Sequence, residues 1–453
     1  MFSKEYKAHY KENLKVAWPV ILGQLGHMMA TIADNTMVGQ INSIQLAACS
    51  FANAVFFVIF IFGIGLAMGV TPIVGKAFGG GDIEKCKSIL KSGLLVNIIT
   101  AIIITILLII ASFYFDSFGQ DKRVVKYAVP FFRIIAASMI PYMIFLSFKQ
   151  FTDALSLTKP GMIILITCNL LNVVINYLLI YGNFGFPRLE IEGAGWATLI
   201  ARICMAISMI LLFLYNKNLK QYLKGWSRRK FNIKHIKEVL NVGVPIGLQY
   251  VLEVAAFASG AFIIGWVGAI ELAAHQIAIT VASVTFMIAT GLASAATIRM
   301  SNFIGKKSFR DMKVAGNSAF IMVIAFMSFT AIIFFLFGHQ LASFYVKEEI
   351  VIVIAVKLLI IAAFFQLADG IQAIGLGTLR GVEDVKIPTI ITTINYWFIT
   401  IPLCYYLGIK LQWGAAGVWY GYLIGLSLVS IALFIRYEYI TKKIVKDNLV
   451  MVE

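Results

Sequence analysis

The sequence predicts an all-α integral membrane protein whose twelve transmembrane helices form two related halves of six. Three observations carry this prediction: long apolar runs recur along the chain, Lys and Arg concentrate in alternate loops, and the first half of the sequence repeats in the second. Hydrophobic residues make up 60% of the 453 positions and charged residues 13%, whereas soluble proteins are roughly 45–50% apolar and about 25% charged. The mean hydropathy is +0.87. These values exclude soluble, disordered, collagen-like and disulfide-scaffold proteins.

Twelve segments are long enough to cross about 30 Å of hydrocarbon. Their predicted limits are 14–36, 48–74, 89–113, 127–148, 160–181, 194–215, 238–265, 273–297, 315–337, 349–375, 388–408 and 414–436. We predict helices rather than barrel strands because the segments are continuously apolar instead of alternating.

The loop charges predict the orientation of the chain. Of its 38 Lys and Arg residues, 29 fall in the two termini and the loops on their side, six fall in the opposite loops, and Arg133, Arg202 and Lys357 lie inside spans. Because cytoplasmic loops collect Lys and Arg, both termini are predicted to be cytoplasmic. The net charge of +16 therefore reflects topology rather than a nucleic-acid partner. The basic loop 217–237 is expected to join the halves and to contact anionic lipid.

The amino terminus does not indicate a signal peptide, and the cysteines do not indicate a metal site. The amino terminus is polar and basic and lacks a cleavage site, so the first span is expected to insert without a signal peptide. The five cysteines lack any metal-binding spacing and are interpreted as reduced core residues.

A constant offset of 226 residues relates the two halves. It pairs Pro19 with Pro245, and it also pairs Gly39 with Gly265, Gly65-Leu66-Ala67 with Gly291-Leu292-Ala293, Asn169 with Asn395, and Gly182 with Gly408. We therefore predict an amino-terminal half over 1–215, a cytoplasmic linker over 216–237 and a carboxyl-terminal half over 238–453. Six spans per half give both halves the same orientation, so their pseudo-twofold axis should run along the membrane normal. The substrate path is expected near the midplane, between or within the halves.

Three acids lie deep in apolar runs: Asp34, Glu253 and Asp369. Each costs about 2.5–3.5 kcal/mol at the centre of a membrane helix, so a function or a strong local pairing must offset the cost. The alternative to a functional site is an acid–base pair that holds helices together, with Arg133, Arg202 or Lys357 as the partner.

Helical spacing groups these acids with other polar side chains. Candidate substrate-cleft residues on these stripes are Gln24, His27, Gln249, His275, Gln276 and Thr280, and the candidate bends are Pro19 and Pro245. Asn169, Asn172 and Asn176 share one face of the fifth span, and Gln366, Asp369 and Gln372 follow at three-residue steps in the tenth.

The repeat does not conserve this chemistry, since Asp34 aligns with Gly260, Glu253 with His27 and Asp369 with Met143. We interpret this asymmetry as two different sites. Asp34 with Asn172 and Asn176 offers oxygen ligands that suit Na⁺. Two acids close together, Glu253 and Asp369, are expected to share a proton that a cationic substrate could replace.

Several stretches of the chain resemble the multidrug and toxic compound extrusion (MATE) family. They are WPVILGQLGHMMATIADNTMVGQ at 18–40, LAACSFANAV at 46–55, GIGLAMGVTPIVGKAFGGGD at 63–82, VGVPIGLQYVLE at 242–253, LAAHQIAI at 272–279, ATGLASAATIRMSNFIG at 289–305, LGTLRGVEDVKIP at 376–388 and WGAAGVWYGYLIG at 413–425. Glu253 in the seventh span points to the NorM-like branch of that family.

The resemblance implies a bacterial efflux antiporter of the cytoplasmic (inner) membrane, with two six-helix lobes in a V shape. It implies export of cationic amphiphilic compounds in exchange for Na⁺ or H⁺, with no other cofactor, and a monomer. Family cation ligands carry over to Asp34, Asn172, Asn176, Thr198, Glu253 and Asp369. Phe365 stands where the family often has a tyrosine, and the family also permits an acid at the position of Asn176.

Two other functions are weighed against this one. A flippase for lipid-linked saccharides would need a strongly basic cavity, but only three basic residues lie within the spans. A membrane enzyme would need clustered ligands or a nucleophile with a base, but His9, His27, His235, His275 and His339 are dispersed along the chain. A channel and a structural receptor are further alternatives.

Overall fold

The computed structural model describes residues 4–226 and 230–449, and in these ranges nearly all of the chain is helical. The helices are α1 (Lys4–Gly39), α2 (Ser43–Met68), α3 (Val70–Gly79), α4 (Ile83–Ser112), α5 (Lys122–Ala137), α6 (Met139–Ala154), α7 (Thr158–Tyr181), α8 (Glu190–Tyr215), α9 (Lys217–Leu223), α10 (Ile233–Val267), α11 (Ala269–Gly305), α12 (Phe309–Ser343), α13 (Glu349–Gly381), α14 (Lys386–Ile394), α15 (Ile401–Tyr405) and α16 (Gly414–Leu449).

Twelve of the described segments are long and apolar enough to cross a membrane, which confirms the predicted number of spans. The second span is α2 continued by α3, and the fourth is α5 continued by α6. The first span begins at Tyr6 and the last runs to Asp447, because polar helical turns extend beyond the apolar cores that hydropathy detects. Residues 1–3 and 450–453 lie outside the described residues, so the predicted location of both termini stays a prediction.

The helices divide into two compact units, and the boundaries of these units differ from those of the predicted halves. Residues 22–247 form one, here called the N unit, and residues 1–21 with 248–453 form the other, the C unit. The divisions fall within α1 and within α10, two residues after Pro19 and Pro245, and they are 226 residues apart. The predicted halves and the predicted bends at the two prolines stay predictions.

The first part of α1 is anchored in the C unit by a buried arginine of α11. Arg299 donates to the backbone oxygen of His9 over 2.9 Å and to Oδ1 of Asn13. Asn13 in turn donates to the backbone oxygen of Ala315 on α12 over 3.1 Å. His9 also lies 3.6 Å from the carboxylate of Asp311. The amino-terminal turns of α1 are therefore a packed part of the C unit.

The first part of α10 is anchored in the N unit at the equivalent positions. Glu238 accepts from Lys85 of α4 over 3.1 Å, and His235 lies 2.7 Å from the hydroxyl of Ser88. His235 is His9 plus 226, and Lys85 is Asp311 minus 226. The repeat therefore preserves where these two helices are anchored and keeps the histidine, while the partners of the histidine differ.

The predicted linker is partly helical. Residues 217–223 form α9, and α10 begins at Ile233. Lys91 of α4 donates to the backbone oxygen of Trp226 over 2.8 Å and lies over the ring of Phe231. Parts of the linker therefore pack against the N unit.

The eleventh span departs from regular α-helix around Pro402. Residues Asn395–Thr400 and Tyr406–Lys410 are π-helical turns on either side of α15. Because proline has no N–H and its ring would clash with the carbonyl four residues earlier, at Phe398, a wider turn accommodates it. The extra residue in that turn changes the direction in which Tyr396 points.

Candidate functional site

Asp34 of α1 lies at the centre of a polar cluster in the N unit. Asn176 of α7 donates from Nδ2 to Oδ1 of Asp34. In the amide orientation that satisfies both of its polar atoms, Asn172 donates to the same carboxylate oxygen over 2.9 Å and accepts from the backbone N–H of Thr198 over 3.2 Å. Three helices, α1, α7 and α8, thus bring the predicted ligands Asp34, Asn172, Asn176 and Thr198 together; we call these four residues the Asp34 cluster.

One atom of the Asp34 cluster is left for a ligand. The side chain of Asn176 is fully buried, and its Oδ1 has no hydrogen-bond partner among the described residues. A buried carbonyl oxygen without a partner is costly. This oxygen and the Asp34 carboxylate are hard oxygen donors of the kind that a small cation prefers.

Arg202 of α8 lies one helical turn beyond Thr198 and is enclosed by aromatic rings. The centre of its guanidinium is 5.4 Å from the ring of Phe56, 4.9 Å from Phe60 and 4.8 Å from Tyr142. It donates to the hydroxyl of Ser138 over 2.7 Å. We call these three rings the Arg202 cage.

The C unit contains a second polar cluster, centred on Glu253 of α10. Gln372 of α13 donates to Oε1 of Glu253 over 3.0 Å, and the hydroxyl of Tyr396 donates to the same oxygen over 3.2 Å. Gln372 and Tyr396 are also bonded to each other, with 2.7 Å between Nε2 and the hydroxyl. All three side chains are buried, so the Glu253 carboxyl is held by neutral hydrogen-bonding groups.

Asp369 belongs to this second cluster, which we call the Glu253 cluster (Glu253, Asp369, Gln372 and Tyr396). Asp369 is buried on α13, one turn before Gln372, and interacts electrostatically with Glu253 and with Tyr396. Two acids in one buried region repel each other when both are ionised. The arrangement therefore favours binding of a cation or a proton between them.

Next to the Glu253 cluster, Arg380 is buried at the end of α13. It donates to the hydroxyl of Tyr250 and to Oε1 of Gln249, both over 3.2 Å. It also interacts electrostatically with Glu253. The predicted cleft residue Gln249 is thus a buried neighbour of an arginine.

The alternative is that each buried acid forms an ion pair with a basic residue and so only holds helices together. The described residues do not support it. None of Asp34, Glu253 and Asp369 has a Lys or Arg nitrogen within 4.0 Å there. Arg133 instead donates to the hydroxyl of Ser112 over 3.0 Å and lies over the ring of Phe113. Lys357 is exposed.

The remaining cleft candidates differ in what surrounds them. Gln24 and His27 are half-buried on α1, on the stripe that ends at Asp34. His275 is buried and accepts at Nδ1 from the indole of Trp419 over 3.1 Å. Gln276 is exposed, and Thr280 donates to its backbone oxygen over 2.6 Å. The role of all five in substrate binding stays a prediction.

Sequence reasoning missed Tyr396, which belongs to the Glu253 cluster, and Arg380, which lies next to it. Tyr396 points at Glu253 from a π-helical turn, and Pro402 six residues later was the available signal. Arg380 was assigned to a loop because the apolar run ends at 375, yet α13 continues to Gly381 and buries it. Phe365 packs in the C unit against Trp419 with 5.4 Å between ring centroids.

Comparison with known proteins gives consistent results for sequence and fold. The sequence profile of the family described as MatE matches residues 19–178 and 245–406. The chain is 32% identical to a probable multidrug resistance protein NorM of Rhizobium meliloti (strain 1021), over 97% of this chain and 95% of that protein. It is 30% identical to a protein of the same description in Agrobacterium fabrum, covering 98% and 97% of the two chains.

Solved structures show the same architecture at lower identity. The Vibrio cholerae MATE transporter VcmN in its bent form superposes with a TM-score of 0.88, at 18% identity, and covers 98% of this chain and 99% of that one. A MOP superfamily transporter from Pyrococcus furiosus, described by a reverse polarity of its binding pocket, gives 0.87 at 19% identity, covering 98% and 99%. These likenesses confirm the predicted twelve-helix MATE fold.

Proposed function

Because this chain belongs to the MatE family of integral membrane transporters, we propose that it is a multidrug efflux antiporter that exports cationic amphiphilic compounds in exchange for inward Na⁺ or H⁺. The observation that carries the proposal is the Asp34 cluster. The Asp34 carboxylate and the amides of Asn172 and Asn176 converge there, and one amide oxygen, Oδ1 of Asn176, has no partner among the described residues.

The two clusters support separate roles within one cycle. The Asp34 cluster has one acid and neutral oxygen donors, which suits a small cation. The Glu253 cluster has two acids with a tyrosine and a glutamine, which suits a proton or a cationic organic group between the acids. The many aromatic side chains, 13% of the chain, would favour flat cationic substrates.

Alternating access would link the two. A cation can drive export only if it binds one facing of the transporter more tightly than the other, and drug must prefer the opposite facing. One charge that moves inward across ~100 mV supplies about 2.3 kcal/mol. At about 1.4 kcal/mol per decade, this supports a drug gradient of roughly fifty-fold.

The environment follows from the same proposal. We place the protein in the bacterial cytoplasmic membrane as a monomer, with both termini cytoplasmic, as the loop charges predict. A saccharide flippase is less well supported, since both clusters are centred on acids rather than on a basic surface that would bind pyrophosphate.

Reconstituted transport tests the proposal. Purified protein in liposomes is given a Na⁺ gradient at equal pH, or a pH gradient at equal Na⁺, and the movement of ethidium is followed by fluorescence. We expect at least one gradient to drive ethidium movement, and Asp34→Asn to abolish it.

Asp121→Asn is the matched control, because it makes the same chemical change in an exposed loop. Hydrogen bonds from Arg123 lower the pKa of Asp121, so this acid is ionised at neutral pH. The control should transport like the wild type. A wild type that responds to neither gradient, or an Asp34→Asn variant that transports normally, would overturn the proposal.

A further inference from the structure

Arg202 is a buried cation in the N unit to which the transport cycle above gives no role. Its side chain is 8% exposed, and its contacts are the three rings of the Arg202 cage and the hydroxyl of Ser138. No carboxylate lies within ion-pair distance of it in the described ranges. Since an arginine does not lose its proton in proteins, its charge must be balanced from farther away.

The helix geometry places Asp34 as the balancing charge. Thr198 and Arg202 are four residues apart on α8 and so share one face. The backbone of Thr198 contacts Asn172, which contacts Asp34. Arg202 thus follows, by about one helical turn of α8, the residue whose backbone contacts the Asp34 cluster, and Arg202 and Asp34 interact electrostatically.

The cage fixes this charge in place. Three aromatic faces attract the guanidinium and Ser138 accepts one of its hydrogen bonds, so the side chain does not swing to form a direct ion pair with Asp34. The carboxylate is therefore left to its amide neighbours and to a ligand, while it still experiences the field of a permanent positive charge.

We propose that Arg202 is a built-in counter-cation of Asp34, which keeps the affinity of the Asp34 cluster for the transported cation weak enough for release. In a medium of effective dielectric constant near 20, two unit charges several ångströms apart interact strongly enough to change a binding constant about tenfold or more. A site that must take up and release its cation in every cycle benefits from such weakening.

Other ionisable groups face the same region, and their effects on cation binding by the Asp34 cluster must be separated from the effect of Arg202. His27 of α1 interacts electrostatically with Arg202, Cys49 of α2 interacts with Asp34, and Tyr142 of α6 belongs to the cage. None of these is a permanent charge. The predicted effect should therefore follow the charge at position 202 and not its volume.

A double-mutant cycle on thermal unfolding tests the electrostatic pairing without any transport. Thermal midpoints are measured in detergent for wild type, Asp34→Asn, Arg202→Gln and the double variant. Because each single change leaves one buried charge unbalanced, the double variant should unfold about 2 °C or more above the additive expectation. Additive shifts would overturn the pairing.

Arg133→Gln combined with Asp34→Asn is the control cycle. Arg133 is also an arginine within a span, with a ring and a hydroxyl as partners, but it is exposed and is not among the charged groups that interact with Asp34. Its cycle should be additive. Non-additivity of the same size there would also overturn the assignment, since it would then reflect general loss of arginine packing.

The effect on transport rests on the proposed function and has its own readout. The concentration of the driving cation that gives half-maximal ethidium transport should fall about tenfold in Arg202→Gln, with a lower maximal rate. Arg202→Lys, which keeps the charge, should stay near the wild type. Unchanged half-maximal concentrations in Arg202→Gln, or equal shifts in both variants, would overturn the role in release. A wild type that no gradient drives would refute the proposed function and leave the stability cycle as the test of the pairing.

Discussion

At the scale of single residues, the central carboxyl group of each unit has different neighbours. Asp34 is held by two amides of α7, whereas Glu253 is held by a glutamine and a tyrosine with a second acid nearby. Because neither carboxyl has a basic side chain in direct contact among the described residues, each remains free to bind a mobile cation or a proton.

The unpartnered oxygen of Asn176 leads to one prediction. Asn176→Ala removes this donor and a hydrogen bond to Asp34, so if Na⁺ drives transport its half-maximal concentration should rise about tenfold, near the value of one strong hydrogen bond or ligand. The readout is ethidium transport at varied Na⁺. Asn169→Ala, on the same helix face, should leave Na⁺ dependence unchanged. Equal effects of both substitutions would contradict this role.

The hydroxyl of Tyr396 leads to a second prediction. Tyr396→Phe leaves the ring in place but removes the group that bonds Glu253 and Gln372, and it should slow gradient-driven transport several-fold while it lowers stability by about 0.5–1.5 kcal/mol. Tyr422→Phe is the matched control, since it removes one buried bond to the backbone oxygen of Phe257. The control should lower stability similarly and keep the transport rate; a comparable loss of transport in both would argue against a specific role.

At the scale of elements, sequence predicted what hydropathy and helical spacing can encode. Helical spacing predicted that Asn172 and Asn176 share one face of the fifth span, and both side chains contact Asp34 from α7. The contact of Tyr396 with Glu253 could not be predicted from helical spacing, because Tyr396 lies in a π-helical turn. Such a turn contains one residue more than an α-helical turn, so its side chains do not follow the regular α-helical spacing. Nor does an apolar run indicate that the first span packs in one unit up to residue 21 and in the other unit from residue 22 onward.

The close packing of α10 in the N unit gives a third prediction. A Cβ at Gly243 would lie 2.5 Å from the backbone oxygen of Leu66, so Gly243→Val should lower the free energy of unfolding by about 1–3 kcal/mol or more through overpacking. Thermal unfolding in detergent measures it.

Gly265→Ala on the same helix is the comparison for this substitution. Its nearest neighbouring atom would be 3.9 Å away, and alanine favours helix over glycine by up to about 1 kcal/mol. We expect an unchanged or higher midpoint. Equal destabilisation by both substitutions would contradict the packing argument.

At the scale of the whole molecule, duplication has produced similar scaffolds with different chemistry. The unit boundaries and the anchors of α1 and α10 repeat at the 226-residue offset, yet the acids do not. In our account a coupled transporter requires this asymmetry. Two identical sites would bind drug and cation with the same preference for the inward-facing or the outward-facing state, and neither could then drive the other.

The most direct test of the central claim runs the proposed exchange in reverse, because coupling free energies are reciprocal. Liposomes that contain the protein are loaded with ethidium, without a cation gradient, and the movement of ²²Na⁺ or of H⁺ is recorded. The account predicts that the outward drug gradient draws one of these cations inward in the wild type, and that Asp34→Asn and Glu253→Gln each abolish this movement. Drug efflux with no accompanying cation movement, or cation movement that survives both substitutions, would contradict it.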